Sequence, residues 1–376
     1  MSYSKLDINV NRVGNMGKIY IYHNLPKGGA KETLGQLTDY LDSKKLAYTI
    51  LTGTKDRPTN IFHYLYIAIF KNLIHDLVIS RQIHKEDKLI IFQSWLIKTP
   101  YISILCNPLK KIYVCHEPPR EYYDNDYISS KNIKEKVVDF IRLPIKYIDK
   151  LNAKCSNALF VVNSKESYKR IFQAYNVKSV VVYPGISIQI NKQEFVRNNV
   201  HKKTVISVGS IVKPKRFDFL IRVIGKISRI NRPNLKIIGY NHNKNCLNNV
   251  IELANKLEVN LEIIEDATKN RLLNEYAKSD IFCFAPINEP FGIAVIEAIC
   301  TGLPVIVYKR GSGFAEVIND KNGALMDTLD TDQWKDKILY YLNNQKHLME
   351  TRKYNLAFGK RFEKSDYGEK LVNLLQ

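Results

Sequence analysis

Apolar residues along this chain fall into two successive series of short runs, with longer stretches of helical spacing between them. The first series reads KIYIYHN, AYTIL, KLIIFQS, KKIYVCH, ALFVVNS and SVVVYP; the second reads TVISVGS, LKIIGY, LEIIE, IFCFAP and PVIVY. Short, continuous runs rich in Ile and Val suit strands buried on both faces, as in parallel sheets. Segments such as 32–45 and 133–151 supply the amphipathic helices that would cover those faces. Strand and helix alternate through both halves, which predicts an α/β protein of two doubly wound parallel-sheet domains in tandem.

Pro184-Gly185 closes the last strand of the first series, and a polar stretch precedes Thr204, where the second begins. The expected domains are therefore 1–184 and 185–352. The tail 353–376 carries Phe362, Leu371, Leu374 and Leu375 at roughly helical spacing, and is expected to be a helix packing back across the domains.

Composition agrees with two soluble domains: 376 residues, 45% hydrophobic and 25% charged. No run of about 18 apolar residues exists to span a bilayer, and the N-terminus lacks the pattern of a signal peptide. The six cysteines are scattered without metal or redox spacing, which predicts buried free thiols in a reducing cytoplasm.

The formal charge of +20 changes the picture. It admits nucleic acid, an anionic membrane or phosphate-bearing substrates as partners. Residues 197–236 hold eleven Lys or Arg against a single acid, Asp218, so half of the net charge sits in about a tenth of the chain.

Four stretches could carry chemistry. In YHNLPKGGAKETL a strand gives way to Gly28-Gly29 and a helix start, which suits phosphate oxygens or simply a tight turn. In KKIYVCHEPPREYYD a strand delivers His116 to its carboxyl end, followed by a proline-braced loop with Arg120 and Tyr122. In SVGSIVKPKRFDFLI, Gly209 and Ser210 lead into Lys213, Lys215 and Arg216 before an amphipathic helix. Cations at that edge suit a pyrophosphate, whereas Arg222, Lys226 and Arg229 fit a solvated helix face. The last is FAPINEPFGIAVIEAICTGLPVIVY. Glu289 is too costly to bury unpaired, and hydroxyls of a ligand would satisfy it. The backbone N–H groups of Phe291, Gly292 and Ile293 open a helix, and Glu297 is expected about two turns into it. Two helix-start acids complementing the dipole are the plainer explanation, and that suits Glu289 better than Glu297.

In this order these stretches, together with ALFVVNSKESYKRI, VVYPGIS, LKIIGY and RGSGFAEVI, resemble the family 4 retaining glycosyltransferases over nearly the whole chain. The resemblance implies the GT-B fold, with two Rossmann-like domains facing a cleft. It further implies transfer of a hexose-type sugar from a nucleotide-diphosphate sugar to a hydroxyl acceptor, with no metal. No Asp-x-Asp cluster is placed at a strand end to hold one. Carried over by position, Glu289 would contact the transferred sugar, with Phe291 to Ile293 holding it and the diphosphate. Glu297 would bind the ribose, and Lys215 would neutralise the leaving group. Gly28-Gly29 would lie over the phosphates, and His116 would face the reacting sugar. Arg120 and Tyr122 are candidate acceptor contacts. Two positions depart from the family pattern: Ser210 stands where an arginine is usual, and Arg216 replaces the glycine after the lysine. Lys213 or Arg216 could supply the missing cation.

The expected partners are thus a nucleotide-sugar donor and a hydroxyl acceptor, a lipid-linked glycan being one class, in cell-surface glycan synthesis. A cytoplasmic location, with peripheral contact to the anionic inner face of the membrane, follows from the same expectation. The segment Lys131–Lys154 bears on this, as either a core-facing helix broken at Pro144 or an interfacial helix on anionic lipid. Rival functions are a sugar-nucleotide epimerase, a homologue that only binds nucleotide sugars, and a nucleic-acid-binding protein. The epimerase lacks an additional acid/base set, and no nucleic-acid module is present.

Overall fold

The computed structural model describes residues 17–26, 28–54, 56–129, 131–186, 202–241, 244–363 and 366–376. The chain divides into two compact units, Met1–Pro184 with Asp366–Gln376, and Gly185–Ser365. Each holds one six-stranded sheet in which every pairing is parallel.

The first sheet comprises β1 (Ile19–Asn24), β2 (Tyr48–Thr52), β3 (Lys88–Ser94), β4 (Lys110–Val114), β5 (Leu159–Val162) and β6 (Ser179–Val181), in the order β2-β1-β3-β4-β5-β6. Side chains alternate across it with the two-residue period of a strand. Ile21, Ile90, Phe92, Ile112 and Val114 enter one core, with Leu34, Leu37 and Leu41 of the helix Gly29–Ser43. Tyr20, Tyr22, Leu89, Ile91 and Tyr113 enter the core on the other face. Both faces being covered explains why these strands are apolar throughout.

The second sheet comprises β7 (Thr204–Val208), β8 (Asn234–Gly239), β9 (Leu261–Glu265), β10 (Ile281–Phe284), β11 (Val305–Tyr308) and β12 (Gly323–Met326), in the order β12-β11-β10-β7-β8-β9. The chain runs outward from β7 to β9, then returns to lay β10 on the other side of β7. The carboxyl ends of β7 and β10 therefore flank the point where strand order reverses, the usual ligand position in such sheets. Five strands were expected here. The sixth, β12, is four residues long and starts on a glycine, so it carries little apolar pattern. A Cβ at Gly323 would lie 1.9 Å from the carbonyl oxygen of Val305, so only glycine lets β12 approach β11.

The tail is two helices rather than one. Gln345–Glu363 packs on the helix Ile293–Cys300 in the second unit, where Cys300 Sγ contacts the Gly359 carbonyl at 3.4 Å. Tyr367–Asn373 packs on the helix Gly29–Ser43 in the first unit, where Tyr367, Leu371 and Leu375 are buried.

The segment Lys131–Lys154 likewise forms two helices, Ile133–Ile141 and Leu143–Cys155, with Pro144 in the first turn of the second. The first has a capping box between Asn132 and Glu135 and buries none of its residues, so it is not core-facing. The second buries Ile145, Asp149, Asn152 and Ala153. All six cysteines are free; four are buried, but Cys155 is exposed and Cys246 half-buried, contrary to the expectation for every thiol. Among the described residues no helix is long and apolar enough to cross a membrane.

Candidate active site at the carboxyl edge of the second sheet

Two loops meet at the switch point. The loop after β7 leaves at Gly209, turns through a short 3-10 helix at Lys213–Lys215, and enters the helix Phe217–Gly225. The loop after β10 runs through Glu289 to Gly292, the cap of the helix Ile293–Cys300. They are tied together at the backbone, where Ile287 N–H donates to the Pro214 carbonyl at 3.3 Å. The loop after β11 joins them, since Gly313 N–H donates to the Glu289 carbonyl at 2.9 Å.

Lys215 and Glu289 form the centre of this arrangement. The ammonium donates to Glu289 Oε2 at 2.5 Å and stands 5.3 Å from the centre of the Phe284 ring. The side chains are 19% and 15% exposed, so each charge is largely removed from water and balanced by the other. Glu289 thus meets its burial cost within the protein, not only through a ligand. The lysine stem runs past Gly209, whose missing Cβ would be 3.6 Å from Lys215 Cδ and Cε. Gly239 allows the β7 loop to close down, because a Cβ there would meet the Gly209 carbonyl oxygen at 1.9 Å.

The helix start is shaped by Gly292, whose φ of 77° is left-handed, and a Cβ there would strike Phe314 at 2.5 Å. No side chain caps this helix, and its first-turn N–H groups and positive dipole end lie beside Lys215 and Glu289. Glu297 stands one turn into the helix rather than two, and it is buried. Lys269 pairs with its Oε1, and the Tyr276 hydroxyl donates to its Oε2 at 3.1 Å. Lys269 and Tyr276 escaped notice in the sequence. They sit on the helix Lys269–Ala277 after β9, and only the β7-centred strand order brings that helix to Glu297.

Arg216 adopts φ 55° and ψ 43°, a left-handed conformation that explains why glycine would suit this position. Its guanidinium lies 5.7 Å from the Phe219 ring. Lys213 is exposed on the same turn, and Ser210 accepts the Val212 N–H through its carbonyl at 2.9 Å. Much of the surrounding basic segment has partners within the unit. Arg232 donates to the carbonyls of Gly225, Ile227, Leu257 and Glu258. Lys226 pairs with Asp332, Arg229 with Glu258, and Lys236 with Glu262 and Glu275.

The remaining candidates belong to the first unit. Gly28 caps the helix Gly29–Ser43 with its carbonyl, and space beside its Cα is open. From the first turn of that helix, Thr33 Oγ1 contacts His116 Nε2 at 3.3 Å. The glycine turn and His116 therefore share one end of the first sheet. The His116 backbone N–H donates to Gln93 Oε1 at 3.1 Å, while its Nδ1 has no partner. Burial pushes the imidazole down to about 4; Glu117 pulls the other way and Lys98 adds to the drop. His116 is thus neutral at pH 7 and offers a hydrogen bond rather than a charge. Arg120 and Tyr122 have structural partners. Arg120 pairs with Asp124 at 2.9 Å, and the Tyr122 hydroxyl donates to the Arg142 carbonyl at 2.9 Å.

The model of the family described as glycosyl transferases group 1 matches residues 189–357. Similar proteins include an uncharacterized glycosyltransferase of Haemophilus influenzae, 26% identical over 55% of this chain and 56% of its own. A D-inositol 3-phosphate glycosyltransferase of Corynebacterium diphtheriae is 23% identical over 50% of this chain and 48% of its own. An uncharacterized 41.2 kDa protein in the cps region of Klebsiella pneumoniae is 25% identical over 78% of this chain and 81% of its own. The chain thus spans about half the length of the first two relatives. Among solved structures, WaaG, a glycosyltransferase involved in lipopolysaccharide biosynthesis, aligns with a TM-score of 0.72 at 15% identity. That alignment covers 96% of this chain and 99% of WaaG. Anabaena HepE in complex with UDP-glucose gives a TM-score of 0.70 at 14% identity, over 95% and 99%. These likenesses establish the GT-B fold.

Two predictions follow from the geometry. The folded state holds His116 neutral where the unfolded chain would protonate it, so its contribution to stability is complete above pH 6.5 and is lost as pH falls toward 4. The loss amounts to about 3 kcal/mol. Urea unfolding across this window should show a slope that His116→Gln removes; an unchanged slope would contradict the buried neutral ring. Arg216→Gly should relieve the left-handed backbone. Glycine's extra unfolded-state freedom and the lost ring contact offset most of this, so stability in thermal unfolding should stay within about 0.5 kcal/mol of wild type.

Proposed function

We propose that this chain is a retaining glycosyltransferase of the family 4 type, moving a hexose-type sugar from a nucleotide-diphosphate sugar to a hydroxyl acceptor. The observation that carries the proposal is the Lys215–Glu289 pair at the switch point, beside the uncapped start of the helix Ile293–Cys300. A sugar nucleotide offers each of these groups a partner. Glu289 accepts hydrogen bonds from sugar hydroxyls, Lys215 turns to the diphosphate, and the backbone N–H groups of residues 291–293, leading into the helix, hold phosphate oxygens. Glu297 accepts from the ribose diol while Lys269 and Tyr276 keep its carboxylate in place.

The C1–O bond to the diphosphate breaks with its electron pair leaving on the phosphate oxygen, and the acceptor oxygen bonds to C1. The acceptor proton goes to the departing diphosphate. Negative charge on the leaving group is the main barrier to lower, and fixed cations and backbone dipoles lower it without a metal. The roles of His116 toward the reacting sugar and of Gly28-Gly29 toward the phosphates rest on the family resemblance alone. Ser210 removes one cation from the usual set, and Lys213 or Arg216 takes its place. HepE in complex with UDP-glucose supports a sugar nucleotide as the donor here. WaaG, involved in lipopolysaccharide biosynthesis, supports a role in cell-surface glycan synthesis at the cytoplasmic face, where a lipid-linked acceptor is one class of co-substrate.

A thermal-shift screen over nucleotide sugars identifies the donor, because a ligand bound only by the native state raises the melting temperature. With that donor, Glu289→Gln should chiefly lower kcat and Glu297→Gln should chiefly weaken donor binding, each by about 1.5–3 kcal/mol. Wild-type kinetics in both variants would refute the site. Lys215→Ala should cost more in kcat/KM than Lys213→Ala or Arg216→Ala. A loss confined to Arg216 would instead identify it as the principal cation on the diphosphate.

A further inference from the structure

The continuous helical stretch 61–80 of the first unit has an inner face that is firmly anchored and an outer face that is predominantly apolar. On the inside, Tyr64, Ile67 and Ala68 are buried in a core shared with Leu96, Ile97, Tyr101 and Ile145. Polar bonds fix the rotation of the helix about its axis. Asp76 accepts from the Tyr22 hydroxyl at 2.8 Å and from Ile102 N–H at 3.1 Å, and Asn72 pairs with Thr54. The outer face therefore cannot roll inward. The most exposed residues of this stretch are Phe62, Tyr66, Phe70, Ile74, Leu77 and Val78, at 42% to 76%, and the one cation beside them, Lys71, is paired with Asp56 at 2.8 Å.

These six recur at helical spacing over about 24 Å of axis, so they form one stripe rather than scattered single residues. Stripes of this size on soluble proteins mark a docking site. Nor does the stripe stand alone in the unit. The helix Leu143–Cys155 packs on the same inner core through Ile145 and Ile148, and the adjoining helix Ile133–Ile141 exposes Ile133, Val137 and Phe140.

We propose that the 61–80 stripe docks this unit on the surface of an anionic lipid bilayer, with the helix lying in the interface. Charge selects lipid over a second copy of the chain. The only acid on the stretch, Asp76, is buried and faces inward, so no carboxylate borders the stripe on its own helix. Arg81 and Lys85 are exposed just beyond its end and outnumber the exposed Glu86, and Lys110 follows the exposed Leu109. Two copies, each at +20, would repel on bringing these faces together, whereas anionic headgroups attract both the rim and the whole chain. Phe and Tyr at the level of the headgroups suit an interfacial helix, and no helix among the described residues is apolar enough to span. The surface is independent of the reaction proposed above and agrees with a lipid-linked acceptor.

Vesicle flotation tests it, with phosphatidylcholine alone set against mixtures containing phosphatidylglycerol. Binding should rise with the phosphatidylglycerol fraction and fall with added salt. The triple variant Phe62→Gln, Phe70→Gln, Ile74→Gln should lower partitioning by about a hundredfold. All three side chains are exposed, so its melting temperature and its turnover of the donor should match wild type. Phe140→Gln reports separately on the neighbouring helix. Failure of the wild type to float at low salt overturns the proposal, as does a triple variant that floats equally well. So does a wild-type dimer in sedimentation that the triple variant converts to monomer without any vesicle binding. Flotation without sugar transfer would sink the enzymatic proposal and leave this one standing.

Discussion

The contact between Lys215 and Glu289 governs the rest of the geometry at the carboxyl edge of the second sheet. A carboxylate and an ammonium, each largely withdrawn from water at a sheet edge, are tolerable together and costly apart. The pair holds the β7 and β10 loops in register, assisted by the backbone bond from Ile287 to Pro214. Glu297 and Lys269 repeat the scheme one helical turn deeper. In both cases an acid from the β10 crossover meets a lysine from the region after another strand of the sheet. Charged groups suited to a sugar and a diphosphate are thus kept oriented before any ligand arrives, which reduces the reorganisation that binding would require.

Topology makes those meetings possible. Only the order that puts β10 beside β7 places the two loops side by side, although they are more than seventy residues apart in the chain. Backbone proximity then limits which residues can stand nearby. Gly239 admits the Gly209 carbonyl, and Gly292 admits the Phe314 ring, each at a distance that a methyl group would forbid. These glycines shape the walls of the site, whereas Arg216 keeps the left-handed turn without a glycine's freedom.

Strands and pairings of charge were unequally legible in the sequence. Continuous apolar runs marked eleven of the twelve described strands, because both faces of each sheet are covered. β12 was missed because its four residues begin on a glycine that serves close approach rather than packing. Glu289 and Lys215 stood out through local context: a Pro-Phe-Gly turn after one strand and a basic turn after another. Lys269 and Tyr276 had no such context, since their importance comes from a crossover helix arriving at Glu297 through tertiary structure. Arg120 and Tyr122 are acceptor candidates by sequence, and the fold adds partners the sequence does not show, Asp124 for Arg120 and the Arg142 carbonyl for the Tyr122 hydroxyl. Local sequence shows which groups can bind a ligand and cannot show which ones the fold already occupies.

The same distinction bears on the described part of the basic segment, residues 202–236. Counted along the chain it looks like a phosphate-binding strip. In three dimensions its cations point to separate tasks. Arg232 closes the carboxyl ends of two helices by donating to four carbonyls, where a guanidinium fork satisfies groups that helices leave unpaired. Lys236 lies between Glu262 and Glu275, and Lys226 and Arg229 reach acids on other elements. A protein that tracks a nucleic-acid backbone needs its cations on one surface and available to phosphates. Here Lys226, Arg229, Arg232 and Lys236 are engaged by acids and carbonyls of the unit itself, while Lys213, Lys215 and Arg216 are gathered on the turn after β7. That division favours a small diphosphate held at one point over a polyanion laid along the surface.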